Sequence, residues 1–242
     1  MDSPVSPLRQ IPARFGDDQV LLFDGVRYCI AAAELSYLRA VQTAATISLS
    51  VGLEQREEDK GLIPVLASDI WTTVDALSRL RLLLATLKGA SSLNEVKAYQ
   101  ASTRDVADAR DLLQHYNEAV TLLTASGAPV WGSFSWYFAM AGPPPVTRAI
   151  VVAAGAARPG MNAKLVVQER GSEGIDHLTI HTVRPRLSKR GTPGSALAVN
   201  LSRAVRLLPM VVSAVESLIQ PVPGEVRYGS DSTVAFTMGD SE

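Results

Sequence analysis

The chain of 242 residues contains a single cysteine, Cys29. One cysteine excludes an intrachain disulfide and every metal site built from several thiolates. It is typical of a reducing compartment, and we therefore predict a cytoplasmic protein. No segment approaches the roughly 20 consecutive apolar residues of a membrane-spanning helix. We accordingly expect no membrane partner.

Several signatures of catalytic sites are also missing from the chain. It has no glycine-rich nucleotide loop, no Gly-x-Ser-x-Gly elbow, no His-Glu-x-x-His motif and no paired-carboxylate signature. His177 and His181 share a face of a predicted strand but lie about 13 Å apart along it, too far for both to bind one metal ion. We therefore expect neither a metal nor a cofactor, and conventional hydrolase and kinase functions lack support.

Charge is distributed unevenly along a chain whose net charge is only −1. Residues 1–127 carry 12 Lys and Arg against 16 Asp and Glu, a net charge of −4, whereas residues 128–242 carry 11 against 8, a net charge of +3. Residues 148–206 alone hold 10 basic and 3 acidic side chains. This segment is either a surface for phosphate or nucleic acid, or the part that faces the acidic half, within one chain or across a dimer.

The first half of the chain predicts a small hairpin followed by a helical bundle. Residues 1–19 are interpreted as a flexible lead-in, and the turn-forming pair Asp24-Gly25 between two short apolar runs indicates a hairpin over residues 20–30. Three helices with short connections favour an antiparallel bundle, which completes a helical domain over residues 20–127. The helices are predicted over residues 31–58, 69–88 and 92–126, with Ser68 as the N-cap of the second and a capping box of Ser92 and Glu95 opening the third.

The second half predicts a strand-rich domain over residues 128–242. Its short apolar runs favour an antiparallel sheet of about four strands. A helix capped by Asn200 or Ser202 follows the sheet and should be kinked at Pro209. The overall class is therefore α+β. Strands are predicted at residues 130–140, 146–153, 163–168, 175–183 and 196–199, with a closing hairpin over 226–238.

One short motif on the third predicted helix suggests a function. Arg110, Asp111 and His115 resemble the Arg-x4-His motif of the HEPN superfamily, helical domains that include metal-independent endoribonucleases. The match covers about eight residues, and Tyr116 lies one position before the aromatic residue common in the family. The resemblance implies His115 as acid and base, Arg110 as the stabiliser of charge on the phosphorane, and Asp111 as an orienting residue. It also implies a homodimer with a composite site.

Helix geometry leaves other roles open for Arg110. Arg110 and His115 lie roughly 140° apart around a straight helix, so they share a face only if the helix bends or a second chain contributes. Arg110 also falls within the apolar stripe of its helix, between Val106 and Leu113. There it must extend to solvent, pair with a carboxylate such as Asp75, or serve a site.

Four cations in one predicted loop, Arg184, Arg186, Lys189 and Arg190, form either a grip for phosphates or a solvated connection. The leading hypothesis is a homodimeric HEPN-like RNA-cleaving or RNA-binding protein that uses this loop to hold RNA. The first alternative is a non-catalytic self-assembling or adaptor protein whose acidic bundle and basic sheet associate. The second alternative is a small-ligand binder with a pocket between the two halves.

Overall fold

The computed structural model describes residues 6–52, 59–140, 146–155, 174–185, 192–220, 224 and 227–229. Helices and an antiparallel sheet pack together in this part of the chain, which confirms the α+β class. The helices are α1 (Asp17–Gly52), α2 (Asp59–Thr86), α3 (Asn94–Ser102), α4 (Arg104–Gln114), α5 (Tyr116–Ser126), α6 (Leu201–Arg206) and α7 (Leu208–Glu216). The strands are β1 (Gln10–Pro12), β2 (Ser133–Met140), β3 (Val146–Ala153), β4 (Gly174–Val183), β5 (Ala196–Asn200) and β6 (Arg227–Gly229).

The long helix α1 occupies the place of the hairpin predicted over residues 20–30, so that prediction was wrong. Phe23 and Val26 are both buried on one side of α1, at a spacing that suits a helix. Gly25 lies inside this helix and forms no turn. A Cβ at this position would lie 3.1 Å from Cδ1 of Leu83 on α2, so the glycine lets the two helices approach closely. Packing between the helices outweighs the local turn preference of the Asp-Gly pair.

The helices α1 and α2 run antiparallel to each other. Ser36 Oγ of α1 lies 2.8 Å from Thr73 Oγ1 of α2, and one turn later Arg39 Nη2 lies 2.6 Å from Asp69 Oδ1. Residues that come later in α1 therefore contact residues that come earlier in α2. The helix α2 also begins earlier than predicted and contains Pro64, so the expected N-cap at residue 68 is wrong. A proline near the start of a helix removes only one backbone hydrogen bond, which the packed helix tolerates.

The third predicted helix is divided into α3, α4 and α5, which corrects the expected bundle of three long helices. The backbone leaves helical geometry at Thr103 and at His115. At the first break, Nη1 of Arg81 donates to the backbone oxygen of Gln100 and, over 2.8 Å, to Oγ1 of Thr103. The Arg81 guanidinium thus replaces helical donors that the break removes.

Strands β2–β5 form an antiparallel sheet in the order β3-β2-β4-β5. The predictions at residues 146–153, 175–183 and 196–199 are therefore confirmed, and the strand predicted at 130–140 forms from Ser133 onward. Residues 163–168 lie outside the described part of the chain. After β5, the side chain of Asn200 accepts a hydrogen bond from the Arg203 amide and caps α6. The break between α6 and α7 at Leu207 confirms the interruption expected at Pro209.

The described part of the predicted lead-in is packed against the rest of the protein. Leu8 and Ile11 are fully buried, and β1 pairs with β6 in an antiparallel two-stranded sheet. The flexible lead-in is therefore wrong for residues 6–19. Of the closing hairpin expected over residues 226–238, only residues 227–229 are described.

One continuous hydrophobic core contains residues of both halves of the chain. Hydrogen bonds also cross between the halves. Nε1 of Trp136 on β2 donates to Oγ of Ser48 over 2.8 Å in the buried core, and the partly buried hydroxyl of Tyr37 donates to Oγ of Ser202 over 2.8 Å. The sheet is thus fixed against α1. Within the described residues, no helix combines the length and the apolar character needed to cross a membrane.

Candidate functional site

A groove of about 720 Å³ lies where the helical half meets the sheet. One wall is the first part of α2, and the other is formed by the residues just before β2 and just after β3, with Leu113 of α4 between them. Its volume falls within the roughly 300–1,000 Å³ of small-molecule sites. The apolar lining residues include Ile63, Pro64, Ala67, Trp71, Leu113, Trp131 and Ala154.

Trp131 is the most prominent residue of the groove because it is 43% exposed while its indole is held in place by its neighbours. One ring face stacks on Tyr116, with centroids 5.7 Å apart and an angle of 8° between the planes. Its backbone oxygen accepts a hydrogen bond of 3.1 Å from Nε1 of Trp71. Gly155, at a φ of +89°, passes so close that a Cβ there would lie 3.0 Å from the Trp131 ring. The groove therefore has a preformed aromatic wall.

The polar edge of the groove consists of Ser68, Thr72 and Asp75, which follow one another along α2. The hydroxyl of Thr72 donates to the backbone oxygen of Ser68 over 2.8 Å and keeps its acceptor capacity. Asp75 is the one ionisable side chain among the described lining residues. Its carboxylate accepts hydrogen bonds from Nε of Arg79 over 2.6 Å and from Nε of Arg110 over 2.9 Å. The charge that the groove presents is thus already compensated.

Arg110 forms the ion pair with Asp75 that was one of its three possible roles. Its side chain is 18% exposed and is directed at Asp75, so it ties α4 to α2. Arg79 approaches the same carboxylate from an exposed position. The three side chains carry one negative and two positive charges, and they lie beside the groove.

His115 and Asp111 are placed together in a smaller pocket of about 120 Å³, which Pro185 also lines. His115 marks the break between α4 and α5, its side chain is about half exposed, and Nδ1 lies 3.8 Å from a carboxylate oxygen of Glu118. Arg110 is not among the residues that line this pocket. Of the three residues of the sequence motif, the structure therefore brings two together and directs the third toward α2.

Arg184 pairs with two carboxylates of the acidic half. Nη1 lies 2.6 Å from Asp108 and 3.2 Å from Asp105, both on α4. Arg184 thus contacts the acidic half within one chain. This was the alternative to a phosphate-binding surface in the interpretation of the basic segment. The other predicted loop cations, residues 186, 189 and 190, lie outside the described residues.

The histidines of β4 have partners of their own. Nε2 of His181 lies 2.6 Å from Oγ of Ser135, and burial lowers the pKa of His181. Nδ1 of His177 lies 3.1 Å from the side-chain nitrogen of Asn200. In the part of the chain that the structure describes, no three His, Cys, Asp or Glu side chains are arranged to hold a metal ion.

A pocket between the two halves was one of the hypotheses from the sequence, but none of the residues that line the groove was predicted to do so. Trp71 lies on a helix with apolar residues on several faces, so its sequence neighbours do not distinguish a groove from the core. Trp131 was assigned to an apolar strand together with Phe134 and Trp136, which are indeed buried, whereas Trp131 lies before that strand. The chain was also compared with models of protein families, with curated proteins and with solved structures, and none of these matches it.

Proposed function

We propose that this protein binds an uncharged, largely apolar small molecule in the groove between α2 and Trp131. The observation that carries the proposal is a preformed aromatic groove whose one ionisable lining residue, Asp75, already has two arginine partners. A cationic ligand would have to compete with Arg79 and Arg110 for Asp75, and an anionic ligand would meet neither arginine among the lining residues, whereas an apolar ligand gains from leaving water. The pocket between the halves therefore favours neutral ligands.

The shape of the groove favours a planar ligand with one hydrogen-bonding group. The apolar walls supply most of the contact area, as in other small-molecule sites. Ser68 and Thr72 lie along one edge, where their hydroxyls would orient a polar group of the ligand. A flat ring system would extend along the indole of Trp131, whose other side is supported by Tyr116.

Two fluorescent probes that share a ring system test the preference for neutral ligands. We expect N-phenyl-1-naphthylamine, which is uncharged, to bind with a rise in fluorescence, and 8-anilinonaphthalene-1-sulfonate, its anionic counterpart, to bind at least about tenfold more weakly.

Ser68→Phe places a ring in the groove from an exposed helical position and should block the neutral probe. Trp131→Ala should raise the Kd about tenfold, because the aromatic wall is lost.

The matched control is Met210→Gln, which replaces an exposed apolar side chain on α7 that does not line the groove. This variant should bind the neutral probe as the unchanged chain does. Circular dichroism of each variant establishes that it has folded. Equal affinity for both probes would contradict the preference for neutral ligands, and binding that survives Ser68→Phe but is lost in Met210→Gln would place the probe outside the groove. Either result would end the proposal.

The HEPN-like hypothesis remains a second candidate function, favoured by the shared pocket of Asp111 and His115. It predicts that the protein degrades or binds single-stranded RNA in the presence of EDTA, and that His115→Ala abolishes cleavage because no acid-base group remains. We expect His115→Ala to leave the thermal midpoint unchanged, since the side chain is half exposed. RNA that stays intact with the unchanged protein, or is cleaved equally by His115→Ala, would exclude cleavage at this pocket.

A further inference from the structure

The long helix α1 is apolar on two opposite sides. One side carries core residues such as Phe23 and Ile30, which are fully buried. The opposite side carries five large apolar side chains that are 48% to 71% exposed, a set we call the α1 seam. A helix that is apolar all round is normally covered all round. The α1 seam consists of Leu21, Tyr28, Leu35, Leu38 and Leu49.

The spacing of the α1 seam is that of a coiled coil. Leu21, Tyr28, Leu35 and Leu49 are separated by multiples of seven residues. Leu38 falls on the second position of the same heptad pattern. A seven-residue repeat maintained over about four heptads is what allows one helix to wrap around another along its length. Residues that merely cover a surface have no reason to keep this repeat.

The size of the α1 seam suits a stable contact between two protein chains. From Leu21 to Leu49 it extends about 42 Å at 1.5 Å per residue. Its five large side chains and the small residues between them present on the order of 600–800 Å², close to the roughly 800 Å² that each partner buries in standard interfaces. A small ligand would cover only a fraction of such a seam, so the partner must supply another long apolar surface.

A second copy of α1 is complementary to this one when the two helices run antiparallel. Alignment about residue 33 places Leu21 opposite Ala45 of the other copy and Leu35 opposite Ala31, so that large side chains meet small ones. The same alignment places Gln42 opposite Asp24 and Tyr28 opposite Leu38, while Leu49 meets Asp17 at the end of the helix. Because each contact occurs twice, the arrangement is a closed two-fold interface.

We infer that two copies of this chain associate through the α1 seam, as an antiparallel helix pair. The contact is independent of the ligand-binding groove. It also differs from the assembly suggested by the charge distribution, because Arg184 meets its carboxylates within one chain. An apolar interface should persist at high salt, whereas an interface between charged surfaces should weaken.

The oligomeric state in solution tests this inference. Sedimentation velocity of the full chain should give twice the 25.8 kDa mass of one copy, at low and at high salt. The double variant Leu35→Glu/Leu38→Glu should raise the dissociation constant about a thousandfold or more, because association would bury four unpaired carboxylates. Met210→Glu is the control, since it replaces an exposed apolar residue on α7 with the same charge and should leave the dimer intact.

Each other outcome overturns the inference. A chain that sediments as a monomer throughout the micromolar range has no such interface, and co-sedimentation of that monomer with lipid vesicles would assign the α1 seam to a lipid surface. A dimer that persists in the double variant, or that dissociates at high salt or in Met210→Glu, uses another surface. The double variant should retain its circular dichroism spectrum, because both leucines face away from the core.

Discussion

Trp136→Ala is expected to lower the free energy of unfolding by about 3–5 kcal/mol, as for other large buried aromatic residues. Trp136 is 1% exposed and lies on β2, where its indole donates to Ser48 of α1. The substitution removes apolar contacts between sheet and helix and leaves a cavity. Urea denaturation followed by circular dichroism measures the loss directly.

Two further variants separate the packing of this residue from its hydrogen bond. Ser48→Ala removes the acceptor but keeps the indole, and should cost about 1–3 kcal/mol because a buried donor is left without a partner. Trp136→Phe keeps one aromatic ring, and it replaces Trp136→Ala in the denaturation measurement if the alanine variant does not fold. A cost below about 1 kcal/mol for Trp136→Ala would contradict the arrangement of β2 against α1.

Arg110→Ala is expected to cost about 1–3 kcal/mol of stability, whereas Arg79→Ala should cost at most about 1 kcal/mol. Both arginines donate to the Asp75 carboxylate through Nε, but Arg110 is 18% exposed and Arg79 is 61% exposed. Solvent screens the exposed pair, and the long Arg79 side chain loses conformational entropy when it is held. The same carboxylate thus provides a matched comparison.

The comparison also separates two roles proposed for Arg110. If Arg110 ties α4 to α2, Arg110→Ala should lower the thermal midpoint of unfolding. His115→Ala should leave that midpoint unchanged. Equal, negligible costs for Arg79→Ala and Arg110→Ala would contradict the structural role. A loss of RNA cleavage in Arg110→Lys at full stability would instead support the stabilising role that the HEPN resemblance implies.

Local signals led to correct predictions where the competing tertiary contacts were weak. Asn200 caps α6 through its own side chain, and Pro209 interrupts the helical segment because it has no amide hydrogen to donate. Arg110 was given three roles, since an arginine in an apolar stripe needs a partner. The structure pairs it with Asp75 of α2, and this pairing depends on how α4 packs against α2.

The hairpin was predicted wrongly because a contact between distant segments outweighs the local turn signal. Asp24-Gly25 is a strong turn signal when only neighbouring residues are considered. The glycine serves another purpose, because it faces Leu83, a residue nearly 60 positions away in the sequence. The third predicted helix is likewise divided where Arg81 of α2 reaches Thr103.

The sequence by itself determined the α+β class, most strand positions, and the cap and break of the late helical segment, because these depend on contacts between near neighbours in the chain. It also contains the seven-residue spacing of α1, although residues 20–30 were predicted as a hairpin. Only the tertiary structure decided that this spacing faces solvent, that Asp75 collects two arginines, and that Trp131 closes a groove against α2. Each of these joins residues from distant segments, and their meeting depends on the packing of the whole core.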